Sequence, residues 1–499
     1  MIDSPIFFAA LTYTPATLGF LGCIKPKTIF PVAILTLVGI AGLSLTALQT
    51  GFEISYKLIW TGGIEFTFDK YTFPLLFAAS ISLLIVLSTY RDKLSHYFYQ
   101  ICLVLLTALT VSFSAQDLIS IYIALELTGF CAFILIADRN DNKSLFHSFQ
   151  YLIGGGLAML IYLIGVVQGF QFSGSFLISD LSTAITPALC LIVAGLLTKA
   201  GIFICGLWVP NIYSHANRQS AAILSGCVTC AGVAPIARLS EGMQPIENSM
   251  VVIGVLSAII AALYAVFERD DGRALGWSSV SQLGFAILSP SYACIYAMQH
   301  GICKTLLFTT LSSPIQDNES IESAQSAPTN IPEWLLVTIF VIASLSIMGL
   351  PFTAGFITKT WLKGDIPIEA SLITSTSTLL TATVYARLIW SRCNTYIKNL
   401  EIYKSLDQYK QNPLNPQSIV LILSGMLIIG FSFSYQEAYY YNNIQSSLAA
   451  VVLASFLYTS VAGLQTESFV KPVTRTLDLV GAPFVVAALL LANLFYFKI

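Results

Sequence analysis

The chain has 499 residues, of which 56% are hydrophobic and only 10% charged, with a mean hydropathy of +0.77 and a formal net charge of -2. A soluble domain carries roughly 25% charged residues, and a water-facing surface cannot be built from so apolar a chain. The composition excludes a soluble globular enzyme, the charge balance gives no basic surface for nucleic acid, and a lipid bilayer is the partner the chain requires.

A membrane-spanning helix needs about 20 mostly apolar residues. Runs of that kind lie near 5–23, 29–49, 71–89, 97–114, 117–137, 149–169, 188–209, 220–238, 250–267, 275–290, 293–311, 332–363, 371–390, 417–434, 446–463 and 477–497. The opening MIDSPIFFAA lacks the positive region of a signal peptide. Between the second and third runs, residues 51–70 alternate apolar and polar side chains around Gly62-Gly63 and read as an external hairpin. In the seventh run Pro210 marks an expected end or break. The twelfth run is too long for one straight span and contains Gly349-Leu350-Pro351, so it reads as one helix broken at Pro351. The fold class expected is all-α, a polytopic transmembrane bundle of about 14–16 helices.

Loop charge orients the bundle. With the N-terminus outside and the sides alternating, the inside loops carry fifteen Lys and Arg residues, and the outside loops and ends carry Lys57, Lys70 and Lys498. This bias follows the positive-inside rule. The inside loop 312–331 is the exception, acidic and without a basic residue. The alternation also divides the chain. Residues 1–96 form N-terminal helices with the hairpin, 97–238 and 250–390 form two five-helix sets, and 417–499 form the C-terminal helices. The two sets start on opposite sides, and the interrupted helix is the fourth of each. That is the pattern of inverted-topology repeats, each with a broken helix.

No Walker motif, dinucleotide fingerprint or zinc-ligand spacing is present. No catalytic or metal centre is expected, and the cysteines inside apolar runs, such as Cys102, Cys131 and Cys190, read as small buried hydrophobes. The informative residues are charges placed in hydrocarbon, which are costly and mark ion pathways. Glu126 lies mid-run in the fifth span and Lys199 in the seventh. Lys304 lies in the eleventh, four residues after His300 and on its helix face, and Lys359 follows the break in the twelfth. A plain buried ion pair for Glu126 and Lys199, or snorkelling for Lys304 and Lys359, explains each residue singly. Several lysines and one acid on separate helices make an expensive core. A desolvated lysine holds its proton weakly unless a carboxylate faces it. A Glu–Lys pair with two arrangements is therefore a proton switch.

These residues stand in recognisable segments: DLISIYIALELTGF at 117–130, KAGIFICGLWVPNIYSHANRQSAAILSG at 199–226, GRALGWSSVSQLGFAIL at 272–288, HGICKTLLF at 300–308 and LSIMGLPFTAGFITK at 345–359. Across roughly residues 70–390 the chain resembles the antiporter-like membrane subunits shared by respiratory complex I and Mrp-type cation/proton antiporters. The resemblance implies that Glu126 is the helix-five glutamate, Lys199 its helix-seven partner, His300 and Lys304 the central pair, and Lys359 the outlet. It also implies departures: Cys230 replaces a central lysine or histidine, Ile204 and Gly206 replace a proline and a histidine, and Gln150 and Gly272 replace lysines. The chain thus resembles a divergent member.

The function implied is proton translocation in a complex I-type NAD(P)H:quinone oxidoreductase assembly. NAD(P)H, quinone, flavin and iron–sulfur clusters would sit in partner subunits, and none would be bound by this chain. The partners implied are other membrane subunits and protons, or Na+, in a bacterial plasma membrane, a thylakoid or an inner mitochondrial membrane. The alternatives are an Mrp-type Na+/H+ antiporter subunit, a non-conducting structural subunit, and the membrane partner in inorganic-carbon uptake.

Overall fold

A computed structural model describes residues 4–57, 64–138, 141–181, 186–311, 331–405, 415–433 and 439–462. Helix occupies each of the first fifteen expected spans, and the sixteenth, 477–497, lies outside the described residues. The first six are single helices: α1 (Ser4–Ile24), α2 (Ile29–Thr50), α3 (Thr72–Thr89), α4 (His96–Ser114), α5 (Leu118–Ile136) and α6 (Asn142–Ser173). The seventh span is two helices, α7 (Thr186–Lys199) and α8 (Trp208–His215). The eighth runs through α9 (Arg218–Ile223) to α10 (Val233–Ser240), and α11 (Gln244–Phe267), α12 (Asp271–Ala286) and α13 (Pro290–Thr310) follow. The twelfth is again split, into α14 (Glu333–Met348) and α15 (Ala354–Asp365). Helices α16 (Ile368–Ser405), α17 (Pro416–Phe433) and α18 (Tyr441–Ala462) complete the set. Seven stretches, α2 and α6 among them, are long and apolar enough to cross a membrane as single helices. The protein is an integral, multi-pass membrane bundle.

Helix starts follow local chemistry. Asp117, Asp141 and Asp270 each accept a backbone N–H of the first turn, at 2.7, 2.9 and 2.6 Å, and begin α5, α6 and α12. The expected hairpin is present: β1 (Ile54–Lys57) pairs antiparallel with β2 (Glu65–Phe68). It is fastened to α10 by Arg238, whose guanidinium holds both oxygens of Asp69 at 2.6 and 2.8 Å and donates to Thr67 O, Thr72 Oγ1 and Phe113 O.

Burial ranks the helices. The whole apolar window of 218–240 is buried, against 39% of that in α6, so the eighth span is central and α6 faces outward. Helices α3, α12 and α13 are likewise enclosed. The eighth span is not a regular α-helix. A π-turn at Leu224–Val228 and a 3-10 segment at Thr229–Gly232 interrupt it. Pro235 supplies no N–H to its fourth predecessor, Ala231, whose carbonyl instead accepts from Ser112 Oγ at 2.9 Å.

The break of the seventh span lies at 200–207 and not at Pro210. Pro210 sits in the first turn of α8, where a missing N–H costs nothing. The chain leaves the helix at Gly201, in the left-handed region at φ +66. Gly201 N–H bonds Thr198 O at 3.2 Å and Ile202 N–H bonds Leu197 O at 3.0 Å, a Schellman closure. The twelfth span ends α14 in the same way: Gly349 has φ +85, its N–H bonds Ser346 O at 3.0 Å, and Leu350 N–H bonds Leu345 O at 3.1 Å. Pro351 lies between α14 and α15.

Candidate functional site

Helices α5, α6 and α7 bring the first two predicted residues together. Lys199 ends α7 with its side chain 8% exposed, and its Nζ stands 3.9 Å from Glu126 Oε1. Glycines on both facing helices leave room for the ammonium. A Cβ at Gly129 of α5 would lie 2.8 Å from Nζ, and one at Gly155 of α6 would lie 3.4 Å away. Glu126 Oε1 is buried without a hydrogen bond from the described residues, so Lys199 is the cation that faces it. At 3.9 Å the pair is an ion pair rather than a tight hydrogen bond, which leaves it free to loosen. The break just beyond Lys199 is steadied by Trp208, whose Nε1 donates to Thr198 O at 3.0 Å.

The second group surrounds α13. Lys304 is fully buried, and its Nζ donates to Leu275 O on α12 at 2.7 Å. The same Nζ lies 5.6 Å from the centre of the Tyr385 ring. One turn earlier, His300 is 1% exposed, and neither ring nitrogen has a hydrogen-bond partner among the described residues. Lys359, in the first half of α15, turns back to the open end of α14 and donates to Ile347 O at 2.6 Å. A cation at a helix C-terminus is favoured by the unpaired carbonyls gathered there. Helix α15 meets α13 closely at Gly355, where a Cβ would lie 3.1 Å from Gln299 Nε2. Gln299 in turn donates to Ser346 Oγ at 3.1 Å.

Cys230 lies in the distorted middle of the eighth span, 1% exposed. Its Sγ is 3.8 Å from the carbonyls of Gly226 and Ala297, so the thiol touches α13. Cys227 precedes it with C-x-x-C spacing. The two thiols turn to different neighbours, Cys227 Sγ lying 3.7 Å from Ala79 O. Both thiols are free, Cys190 is exposed rather than buried as expected, and no group of three or more metal-binding side chains occurs among the described residues.

Two cavities lie at opposite ends of the bundle. One, of about 330 Å³, opens at the end where the basic loops lie, between α8, α9, α12 and α13. The other, of about 720 Å³, opens at the far end and is lined by Lys359, Lys363, Ser375, Asn443, Ser446 and Ser447, among others.

The model of the NADH:quinone oxidoreductase/Mrp antiporter transmembrane family matches residues 115–389. The chain belongs to this family. Glu126, Lys199, Cys230, His300, Lys304 and Lys359 all lie inside the matched stretch. A similar relative is the NADH-quinone oxidoreductase subunit N of Desulforudis audaxviator, 28% identical over 335 residues that cover 61% of this chain and 65% of the relative. Another is the chloroplastic NAD(P)H-quinone oxidoreductase subunit 5 of Lemna minor, 26% identical over 389 residues, 69% of this chain and 52% of the relative. The match thus spans less than two thirds of either relative's length. In fold the chain is similar to a subunit of an archaeal membrane-bound sulfane sulfur reductase, with a TM-score of 0.70, 18% identity, and 91% of this chain and 99% of the other covered. It is also similar to chains of respiratory complex I from Thermus thermophilus (TM-score 0.68, 18% identity, 85% and 96% covered) and of the Mrp complex from Dietzia sp. DQ12-45-1b (0.68, 16%, 91% and 98%).

Sequence reasoning missed the neutral polar groups around the second set of charges. Tyr296 donates to Gln282 at 2.7 Å, Gln282 donates to Thr381 at 3.3 Å, and Ser278 meets the hydroxyl of Tyr385 at 3.0 Å, all buried. Several hydroxyls and amides in one apolar helix pair, α12 and α13, were the available signal.

Proposed function

We propose that this chain is a proton-translocating, antiporter-like subunit of a complex I-type NAD(P)H:quinone oxidoreductase assembly in an energy-coupling membrane. The observation that carries the reading is the pair Lys199–Glu126 at 3.9 Å, packed against glycines beside a helix break. A lysine held this way keeps its proton while Glu126 faces it and gives the proton up when Glu126 is drawn away or neutralised. Lys304 and His300 form a second station and Lys359 a third, facing the larger cavity. His300 supports the reading, because burying an imidazole whose two nitrogens have no partner among the described residues costs free energy that packing alone gives no reason to incur. The two five-helix sets, 97–238 and 250–390, are read as inverted halves, supported by the matching Schellman closures at Gly201 and Gly349. The redox chemistry, with its NAD(P)H, quinone, flavin and iron–sulfur clusters, belongs in this reading to partner subunits.

The test is Lys199→Ala in the reconstituted assembly. Proton transport per turnover is expected to fall while the assembly still forms. Unchanged transport with intact assembly would overturn the reading. Copurification identifies the parent complex: partner chains with iron–sulfur clusters support it, whereas sodium-dependent transport that needs neither NAD(P)H nor quinone marks an Mrp-type assembly instead.

A further inference from the structure

A third cavity lies away from the buried charges, where α1 turns into α2 at the end that the basic loops assign to the inside. It is a groove of about 310 Å³, lined by Leu18, Leu21 and Ile24 from α1 and by Ile29 and Val32 from α2, with Lys25 and Thr28 at the turn. The two helices are held by different neighbours. Ala16 N–H of α1 donates to Thr107 Oγ1 of α4 at 3.1 Å, and a Cβ at Gly19 would lie 3.3 Å from Gln100 O of the same helix. Helix α2 packs along α3 instead. Near the turn α1 and α2 touch closely, since a Cβ at Gly22 would collide with Ile29 Cδ1.

Along α1 the lining runs from Lys25 back to Leu18, roughly 10 Å of helix. Leu21 and Ile24 are 56% and 73% exposed, so the groove opens sideways to the bilayer. Apolar walls left without partner atoms forfeit their dispersion contacts, and an acyl chain restores them. The polar end of the groove is basic. Lys25 lines it, Lys27 follows in the turn, and the guanidinium carbon of Arg91 stands 4.3 Å from the ring centre of Phe30, the residue after Ile29. Neither lysine, nor Arg91, forms an ion pair among the described residues. Loop 24–28 contains no acid, and loop 90–96 contains Asp92, whose carboxylate accepts from Gln417 Nε2 at 3.2 Å. Positive charge from two loops therefore gathers at headgroup level, at the mouth of an apolar groove. A basic site of this kind between membrane helices fits an anionic headgroup.

We propose that the groove between α1 and α2 binds an anionic phospholipid, with an acyl chain along Leu18, Leu21 and Val32 and the phosphate facing Lys25, Lys27 and Arg91. A zwitterionic lipid would fill the groove equally well but leave the three cations without net counter-charge. The site shares no residue with the proton stations, so it stands whether or not the chain moves protons.

The test uses the purified assembly in phosphatidylcholine vesicles that contain a trace of phosphatidylglycerol bearing a diazirine on its acyl chain. A matched preparation carries the same diazirine on phosphatidylcholine. After illumination, labelled peptides are quantified by mass spectrometry. Peptides covering residues 18–32 are expected to take at least five-fold more label from phosphatidylglycerol. The double variant Lys25→Gln, Lys27→Gln is expected to bring the two lipids close to parity, because each cation near the surface is worth about a five-fold preference. High salt is expected to lower the excess in the parent. Val32→Trp, which fills the groove and leaves the cations in place, is expected to lower the label from both lipids. Lys57→Gln, on the outside hairpin, is the control and is expected to keep the excess. Equal labelling of 18–32 by the two lipids in the parent would overturn the site, as would an excess that survives the double lysine variant. No label on 18–32 from either lipid, with other helices labelled, would mean that a partner chain fills the groove and would also overturn it.

Discussion

Gly129→Ala adds one methyl group at the point where α5 meets Lys199. The new Cβ would lie 2.8 Å from Nζ, closer than such contacts occur, so the ammonium must move. Helix geometry is not at fault, because alanine is preferred to glycine inside a helix by about 1 kcal/mol. The effect therefore falls on the ion pair. At 3.9 Å and an effective dielectric near 20, the Lys199–Glu126 attraction is about 4 kcal/mol. Moving Nζ by ~1 Å either way changes it by about 1 kcal/mol, roughly a five-fold change in the balance between closed and open pairs. The assay is proton transport per turnover in proteoliposomes, with thermal stability of the assembly followed in parallel. Gly129→Ala is expected to lower transport several-fold without loss of stability. Gly154→Ala, where a Cβ meets nothing within 4 Å, is the control and is expected to transport normally. Equal transport by the two variants would refute the idea that the geometry of this pair sets the switch.

Other outcomes follow from the same contacts. Gly349→Ala forces a left-handed residue, at about 1–2 kcal/mol, and pushes a Cβ to 3.0 Å from Lys359 Cδ, so both stability and transport should fall; Gly364→Ala, with open space at its Cβ, should change neither. Arg238→Met leaves Asp69 facing an apolar neighbour, and breaking a buried pair costs about 3–5 kcal/mol. Its assemblies should melt earlier and form in lower yield while those that form transport at the parental rate, and an unchanged melting temperature would contradict the role of that pair as a fastener.

How far the sequence could be read depended on the kind of signal. Spans were legible because a run of apolar residues is a property of the chain itself, and helix stands at each of the fifteen that fall on described residues. The hairpin was legible from alternation, and the strands Ile54–Lys57 and Glu65–Phe68 pair within 51–70. The break of the seventh span was misplaced because proline is the louder signal, while the deciding residue, Gly201, looks like any other glycine until its φ is known. The charges of the site were legible because lysine in hydrocarbon is rare. Their partners were not, since Leu275 O, Ile347 O and Met348 O are backbone atoms that no pattern of side chains announces. The Asp69–Arg238 pair and the cavity beside Gly272 join distant parts of the chain, and proximity of that kind is fixed only by packing.

The central claim is that the buried charges of this chain carry protons, and Lys304 tests it most directly because it is fully enclosed and, among the described residues, meets a carbonyl and a ring face. The measurement is protons moved per turnover by the reconstituted assembly with Lys304→Ala, in preparations where partner chains and their electron transfer are retained. The account predicts fewer protons per turnover than in the parent; the same number would contradict it.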